Sequence, residues 1–357
     1  MIELRNVSKR YGSVTALDGV SLVVPEGSVC VCIGPSGCGK STTLKLVNRL
    51  LEPSDGEVLV NGQSVRSRSA VQLRREIGYV IQSVGLFPHM TVAENIGIVP
   101  RLFGRDAAWR RTRAEELLQL IGLDPGRYMQ AYPAQLSGGE AQRIGVARAL
   151  AANQPILLMD EPFGAVDPLN REVLQAEFLD LQRKLRKTIL FVTHDLDEAI
   201  RMGDMIAIMN QGQVVQHDTP ERILAQPASR FVADFVGVDR AIKRLVRFSV
   251  RDYLRPLPAA PSAGAAAAGA AAVNGRPETG TGAAAYGTGA AVAGTAATGS
   301  AAAASRDLLT GYHTLRDALS RLLSADLAHL PVYSLEGQQI GTVHLSDIRR
   351  ITQEVAR

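Results

Sequence analysis

Val29-Cys-Val-Cys-Ile-Gly34-Pro-Ser-Gly-Cys-Gly-Lys-Ser-Thr42 opens as an unbroken apolar run and closes in a glycine-rich loop carrying a lysine and three hydroxyls. Five apolar residues without alternation predict a strand buried on both faces, the habit of a parallel sheet covered by other layers. The following eight residues, Gly34 to Ser41, match GxxxxGK[ST] in the strand-then-helix context that gives the motif its meaning. Glycines let backbone N–H groups turn inward on an anion, and the helix start adds its dipole. Gly34, Pro35, Ser36, Gly37, Cys38, Gly39, Lys40, Ser41 and Thr42 are therefore the candidate cradle for the phosphates of ATP. Within it Lys40 is suited to the β- and γ-phosphates and the Ser41 hydroxyl to Mg²⁺.

Two further buried strands end in chemistry. Ile156-Leu-Leu-Met159 runs into Asp160-Glu161. A carboxylate at such a strand tip, Asp160, suits Mg²⁺, and the adjacent Glu161 can polarise a water for attack on phosphorus. The strand Ile189 to Thr193 ends in His194. Shorter strands are predicted at Ile2 to Ser8, Ser21 to Val24 and Glu57 to Val60, the last meeting an Asn61-Gly62 hairpin signal. Asp106 to Ile121 reads as a helix capped by Asp106 and stopped by Gly122. Its Arg110, Arg111 and Arg113 read as a solvated face. Alternating strand and helix patterns up to about residue 240 predict an α/β fold.

Leu136-Ser137-Gly138-Gly139-Glu140-Ala141-Gln142-Arg143 resembles the signature motif of ABC-transporter nucleotide-binding domains, departing from it at Glu140 and Ala141. With the phosphate loop and the Asp160-Glu161 strand tip in the family's order, the resemblance spans roughly residues 1 to 240. It implies a P-loop NTPase core with an antiparallel β subdomain and a helical signature subdomain. It also implies that ATP lies between two copies of the chain, where Ser137, Gly138 and Gly139 of one subunit cap the γ-phosphate held by the other. By the same resemblance Tyr11 stacks on adenine, Gln82 contacts both Mg²⁺ and a permease, His194 contacts the γ-phosphate, and Asp167 signals across the dimer. The metal set is then Ser41, Gln82 and Asp160, and the catalytic pair Glu161 and His194.

The 357 residues carry a net charge of +4, too small to argue for nucleic acid, and none is expected as a partner. No run reads as a membrane span or a secretion signal, so a location on the cytoplasmic face of the membrane is expected. Cys30 and Cys32 share one strand face and read as small core residues, and with Cys38 they make no disulfide framework.

Residues 259 to 304 are dominated by Ala, Gly, Thr and Ser, and predict a flexible linker within a connector spanning 241 to 304. Beyond it, 305 to 357 offers a helix with Leu315, Ala318, Leu319 and Leu322 on one face. Strands at Leu330 to Tyr333 and Ile340 to Leu345 flank a Gly337 turn. This stretch resembles a partial CBS unit, and Ser249 to Pro256 resembles the opening of another whose body is missing. The tail and the Val80-Ile-Gln-Ser83 text around Gln82 resemble ATPases of quaternary-amine importers for glycine betaine, carnitine or choline. That resemblance implies a homodimer, integral-membrane permease subunits and, indirectly, an extracytoplasmic solute-binding protein. Polyamine, sulfate or sugar importers and non-transport ABC proteins are the alternatives. The tail is expected to be a tethered remnant, dispensable for basal ATP hydrolysis.

Overall fold

A computed structural model describes residues 1–81, 85–164, 166, 168–256 and 308–353. Two long antiparallel strands open the chain, β1 (Ile2–Tyr11) and β2 (Val14–Val24), and β3 (Val29–Ile33) follows. β4 (Asp55–Val60) and short β5 (Gln63–Ser64) return to β1, giving the order β2-β1-β4-β5. Asn61 and Gly62 both take positive φ, 51° and 75°, the backbone a two-residue type I′ hairpin demands. β2 begins seven residues earlier than its apolar pattern predicts. The β1–β2 ladder runs through the polar Asp18-Gly19 pair by register shifts beside Asn6 and Gly19, both at positive φ.

The second sheet joins β3 to β6 (Ile77–Val80), β7 (Ile156–Asp160), β8 (Thr188–Val192), β9 (Met205–Asn210) and β10 (Gln213–Asp218). Its order is β10-β9-β3-β8-β7-β6, parallel throughout except for the edge strand β10. β3, β7 and β8 are fully buried, as the unbroken apolar runs require. Their residues alternate between two cores. Val29, Val31, Ile33, Met159 and Phe191 face the helices Val92–Leu102, Ala107–Leu120 and Gly138–Leu150 through Ile96, Leu117 and Ile144. Cys30, Cys32, Leu158 and Leu190 face the first sheet and the Lys40–Val47 helix through Leu4, Leu17 and Leu44. Each such side chain contributes about 1.5–3 kcal/mol on leaving water. Gly78 on β6 has no alternative, since a Cβ there would lie 2.4 Å from the carbonyl oxygen of Ala149.

Asp106 caps the Ala107–Leu120 helix by accepting from the Trp109 amide, and Gly122 leaves it at φ +69°. The Ala/Gly-rich stretch 259–304 lies outside the described residues.

The C-terminal unit holds the helix Leu315–Ser324, a hairpin of β11 (His329–Tyr333) and β12 (Gln339–His344), and the helix Leu345–Gln353. A hairpin and two helices bury little surface alone. Residues 245–256, read from the sequence as connector, complete it: Leu245 and Val250 are buried against Leu315, Leu322, Val332 and Val343. Arg255 exchanges backbone hydrogen bonds with Thr342 at 2.8 and 3.1 Å, adding a bridge to the β12 edge. The remnant is also not merely tethered. Arg251 forms a two-pronged ion pair with Asp180 at 2.8 and 2.9 Å, Arg316 pairs with Asp197, and Arg201 donates to the Tyr312 carbonyl at 2.9 Å. Sequence reasoning passed over this docking because such contacts join residues more than 70 positions apart in the chain.

Glu172, on the helix Pro168–Leu185, lies at this junction, and its carboxyl is pushed up to about 7 by burial and by Asp317. Arg201 from the Leu196–Met202 helix and Arg316 and Arg321 from the Leu315–Ser324 helix oppose the shift. A carboxyl raised on folding contributes stability that is complete below its unfolded value of 4.5 and lost as pH climbs through about 7. Stability is therefore expected to fall between those limits, and Glu172→Gln should flatten that part of the curve in chemical denaturation across pH. An unchanged slope in the variant would show that Glu172 does not carry it.

Candidate nucleotide site

Parallel pairing brings the tips of β3, β7 and β8 to one edge. The loop after β3 leaves Pro35, Ser36 and Gly37 exposed as a crown, while Gly34, Cys38 and Lys40 are buried beneath. Gly39, at φ +107°, starts the Lys40–Val47 helix where a Cβ would lie 2.4 Å from the Leu17 side chain and 2.8 Å from the Ala16 carbonyl. Only glycine lets the loop lie this close to β2. Lys40 is 8% exposed, and its ammonium donates to the Gly34 and Pro35 carbonyls at 2.8 and 2.9 Å, within the loop it is expected to serve. Cys38 is core packing, with burial raising its thiol pKa. Cys30 and Cys32 are buried on the same strand face, as predicted.

The Ser41 hydroxyl donates to Asp160 Oδ1 at 3.1 Å. Burial raises the Asp160 carboxyl, the Ser41 hydrogen bond opposes this, and neighbouring Glu161 adds to it. A hydroxyl and a desolvated carboxylate converging beside a phosphate loop fit a hard divalent cation, which prefers oxygen donors. Thr42 follows on the same helix.

Glu161 leaves β7 at φ +49°, an uncommon conformation for a residue with a side chain. Its amide donates to the Val192 carbonyl at 2.9 Å, and its carboxylate Oε1 lies 3.2 Å from Nδ1 of His194 at the tip of β8. Two residues 33 positions apart in the chain are thus joined by the β7–β8 pairing. The His194 side chain is 67% exposed and that of Glu161 22%, so the pair faces outward from a firm base. Tyr11 sits at the tip of the β1–β2 hairpin, 46% exposed, with the Lys9 ammonium 5.1 Å from its ring centroid. Gln82 and Asp167 lie outside the described residues.

Ser137 caps the Gly138–Leu150 helix, with Gly138 and Gly139 in its first turn. Among the described residues no hydrogen bond joins Ser137 to the phosphate loop; it bonds its own helix instead. Its hydroxyl accepts from the Glu140 amide at 3.3 Å, and its amide donates to Glu140 Oε2 at 2.7 Å. The Tyr128 hydroxyl donates to Glu140 Oε1 at 2.5 Å, and with the Ser137 amide holds the carboxyl below its ordinary value. Glu140, noticed in the sequence only as a departure, is thus the far half of a capping box. The Ser-x-x-Glu spacing was the signal for it, and nothing local pointed to Tyr128.

The ABC transporter family model matches residues 17–164. Over 349 residues the chain is 42% identical to the glycine betaine uptake system ATP-binding protein YehX of Escherichia coli, covering 98% of this chain and 99% of that protein. The chain belongs to the ABC transporter ATP-binding subunits. This ABC subunit is also 55% identical to the osmoprotectant import ATP-binding protein OsmV of Salmonella typhimurium, over 71% of this chain and 67% of that one. It is 52% identical to the choline transport ATP-binding protein OpuBA of Bacillus subtilis, over 68% of this chain and 64% of that one. A bacterial ABC transporter cassette solved as a dimer superposes with a TM-score of 0.58 at 37% identity, over 61% of this chain and 98% of its own. Among the described residues no helix is long and apolar enough to cross a membrane.

Removing the Glu140 side chain takes away one half of the box and the Tyr128 anchor. Glu140→Ala is expected to lower stability by about 1 kcal/mol in urea titration, whereas Glu140→Gln keeps a capping-box acceptor and should retain most of it. Equal losses in both variants would point to the charge rather than the cap.

Proposed function

We propose that this ABC subunit hydrolyses ATP to energise an importer of quaternary-amine osmoprotectants such as glycine betaine, carnitine or choline. One observation carries the hydrolytic reading: Glu161 and His194 meet at 3.2 Å beside the strand tip that brings Asp160 to Ser41. The solute class is supported by relatives named for osmoprotectant, glycine betaine and choline transport.

In this reading the loop amides of residues 34–41 and the Lys40 ammonium take the β- and γ-phosphates, and Tyr11 offers its exposed ring to adenine. Ser41 and Asp160, with Gln82, would hold Mg²⁺, which supplies charge neutralisation to the phosphates when bound. Glu161 orients a water in line with the γ-phosphorus and receives its proton as the new P–O bond forms and the bond to the β–γ bridging oxygen breaks. His194 holds the γ-phosphate oxygens and, through its contact with Glu161, keeps the base at its post. Ser137 and the Gly138 and Gly139 amides, at a helix start of their own, serve the γ-phosphate of a second copy. Two such sites form in a homodimer, and the dimeric cassette among its structural neighbours supports that arrangement. Closure of the dimer is passed to integral-membrane permease subunits on the cytoplasmic face, fed by an extracytoplasmic solute-binding protein. The C-terminal unit is read as partial CBS-like.

Glu161→Gln keeps shape but removes the base. It is expected to bind ATP and accumulate as a closed dimer in size-exclusion chromatography, with turnover lowered at least about a hundredfold. Phosphate release at the wild-type rate would remove Glu161 from the mechanism. In cells under high salt, disruption of this chain is expected to reduce uptake of radiolabelled betaine, carnitine or choline. A loss of spermidine or maltose uptake instead, with all three amines unaffected, would reassign the solute.

A further inference from the structure

The C-terminal unit touches the ATPase at a place the nucleotide chemistry depends on. His194 is followed by the Leu196–Met202 helix, whose first turn packs three carboxylates, Asp195, Asp197 and Glu198, into four residues. Asp195 is committed to the helix start, its Oδ1 accepting from the Asp197 and Glu198 amides at 2.9 and 3.2 Å. Glu198 is buried, its carboxyl raised by desolvation, and it accepts from Gln175 at 2.9 Å. Asp197 has one oxygen buried without a hydrogen-bond partner, and its other oxygen pairs with Arg316 of the C-terminal helix. A half-buried carboxylate that loses its cation is left desolvated beside two like charges, a strongly unfavourable state.

The same unit also grips the far end of this short helix, where Arg201 donates to the Tyr312 carbonyl. Arg171 closes the arrangement from the neighbouring helix, donating to the Val166 carbonyl at 2.9 Å with its guanidinium 4.0 Å from Asp195. The segment that begins at His194 is thus held at its start by Arg316 and at its end by Tyr312, both from the tail. A shift of its first turn would carry the Asp195 cap, and with it the imidazole that sits 3.2 Å from Glu161.

We propose that the docked C-terminal unit is a positioning element for His194 in cis, with Arg316 acting through Asp197 to keep its imidazole aligned with Glu161. Arg316 touches neither nucleotide nor water. It sets the alignment of the catalytic pair, so its loss slows turnover while leaving ATP binding intact. This rests on the hydrolytic reading of Glu161 and His194.

The test is steady-state ATP hydrolysis by the full chain for wild type, Glu161→Gln, Arg316→Ala, Arg316→Lys, Asp197→Asn and the Arg316→Ala/Asp197→Asn double variant, each checked for folding by thermal melting. Arg316→Ala is expected to lower kcat about three- to tenfold with KM for ATP unchanged, the pattern of lost alignment rather than lost binding. Arg316→Lys should recover part of the rate. Because the two residues act through one contact, the double variant should be no slower than Arg316→Ala. Wild-type kcat in folded Arg316→Ala, a KM rise in place of a kcat fall, or additive losses in the double variant would each overturn the proposal. Turnover in wild type that survives in Glu161→Gln would instead fault the hydrolytic reading itself.

Discussion

Parallel pairing of three strands buried on both faces is the constraint on which the molecule rests. β3 lies between β8 and β9, and β8 pairs with β7 in register, Asp160 opposite Val192. In a parallel sheet every strand delivers its C-terminal end to the same edge, so three short sequences far apart in the chain finish side by side. Burial on both faces leaves no slack in that register, because a slip of one residue would exchange the side chains of the two cores. The phosphate loop, the Asp160-Glu161 tip and His194 therefore owe their proximity to hydrophobic packing some distance beneath them.

The polar atoms at that edge are arranged against the preferences of isolated residues. Lys40 is nearly buried, Asp160 carries a raised carboxyl, and Glu161 holds a left-handed backbone. Each is disfavoured alone and is sustained by what surrounds it: the loop carbonyls for Lys40, the Ser41 hydroxyl for Asp160, the Val192 carbonyl for the Glu161 amide. Such a site is poised toward charged ligands, since phosphate oxygens and a divalent cation would satisfy the charges that folding has desolvated.

The signature helix is organised differently. Its serine is held by Glu140, and Glu140 in turn by Tyr128, so the start of this helix is fixed by contacts within its own chain. A preorganised helix start loses little freedom on engaging a phosphate, the general advantage of rigid recognition elements. The C-terminal unit, with a core too small to stand alone, leans on the ATPase helices through Arg251–Asp180, Arg316–Asp197 and Arg201–Tyr312 contacts.

By itself the sequence determined the fold class, the glycine-rich loop after the first buried strand, the strand tips and the helix capped by Asp106. Those features are written in local patterns: unbroken apolar runs for buried strands, glycines where φ must be positive, and Ser, Asp or Thr where a helix begins. Even the capping-box spacing at Ser137 and Glu140 was legible. What the tertiary structure alone decided is whatever joins distant residues without a local signature. The 3.2 Å approach of Glu161 to His194 follows from strand register. The recruitment of Leu245 and Val250 into the C-terminal core, and the grip of Arg316 and Tyr312 on the helix after His194, follow from packing. A charged residue on an amphipathic helix looks like solvated surface until a partner of opposite charge is brought to it, and only the folded chain brings it.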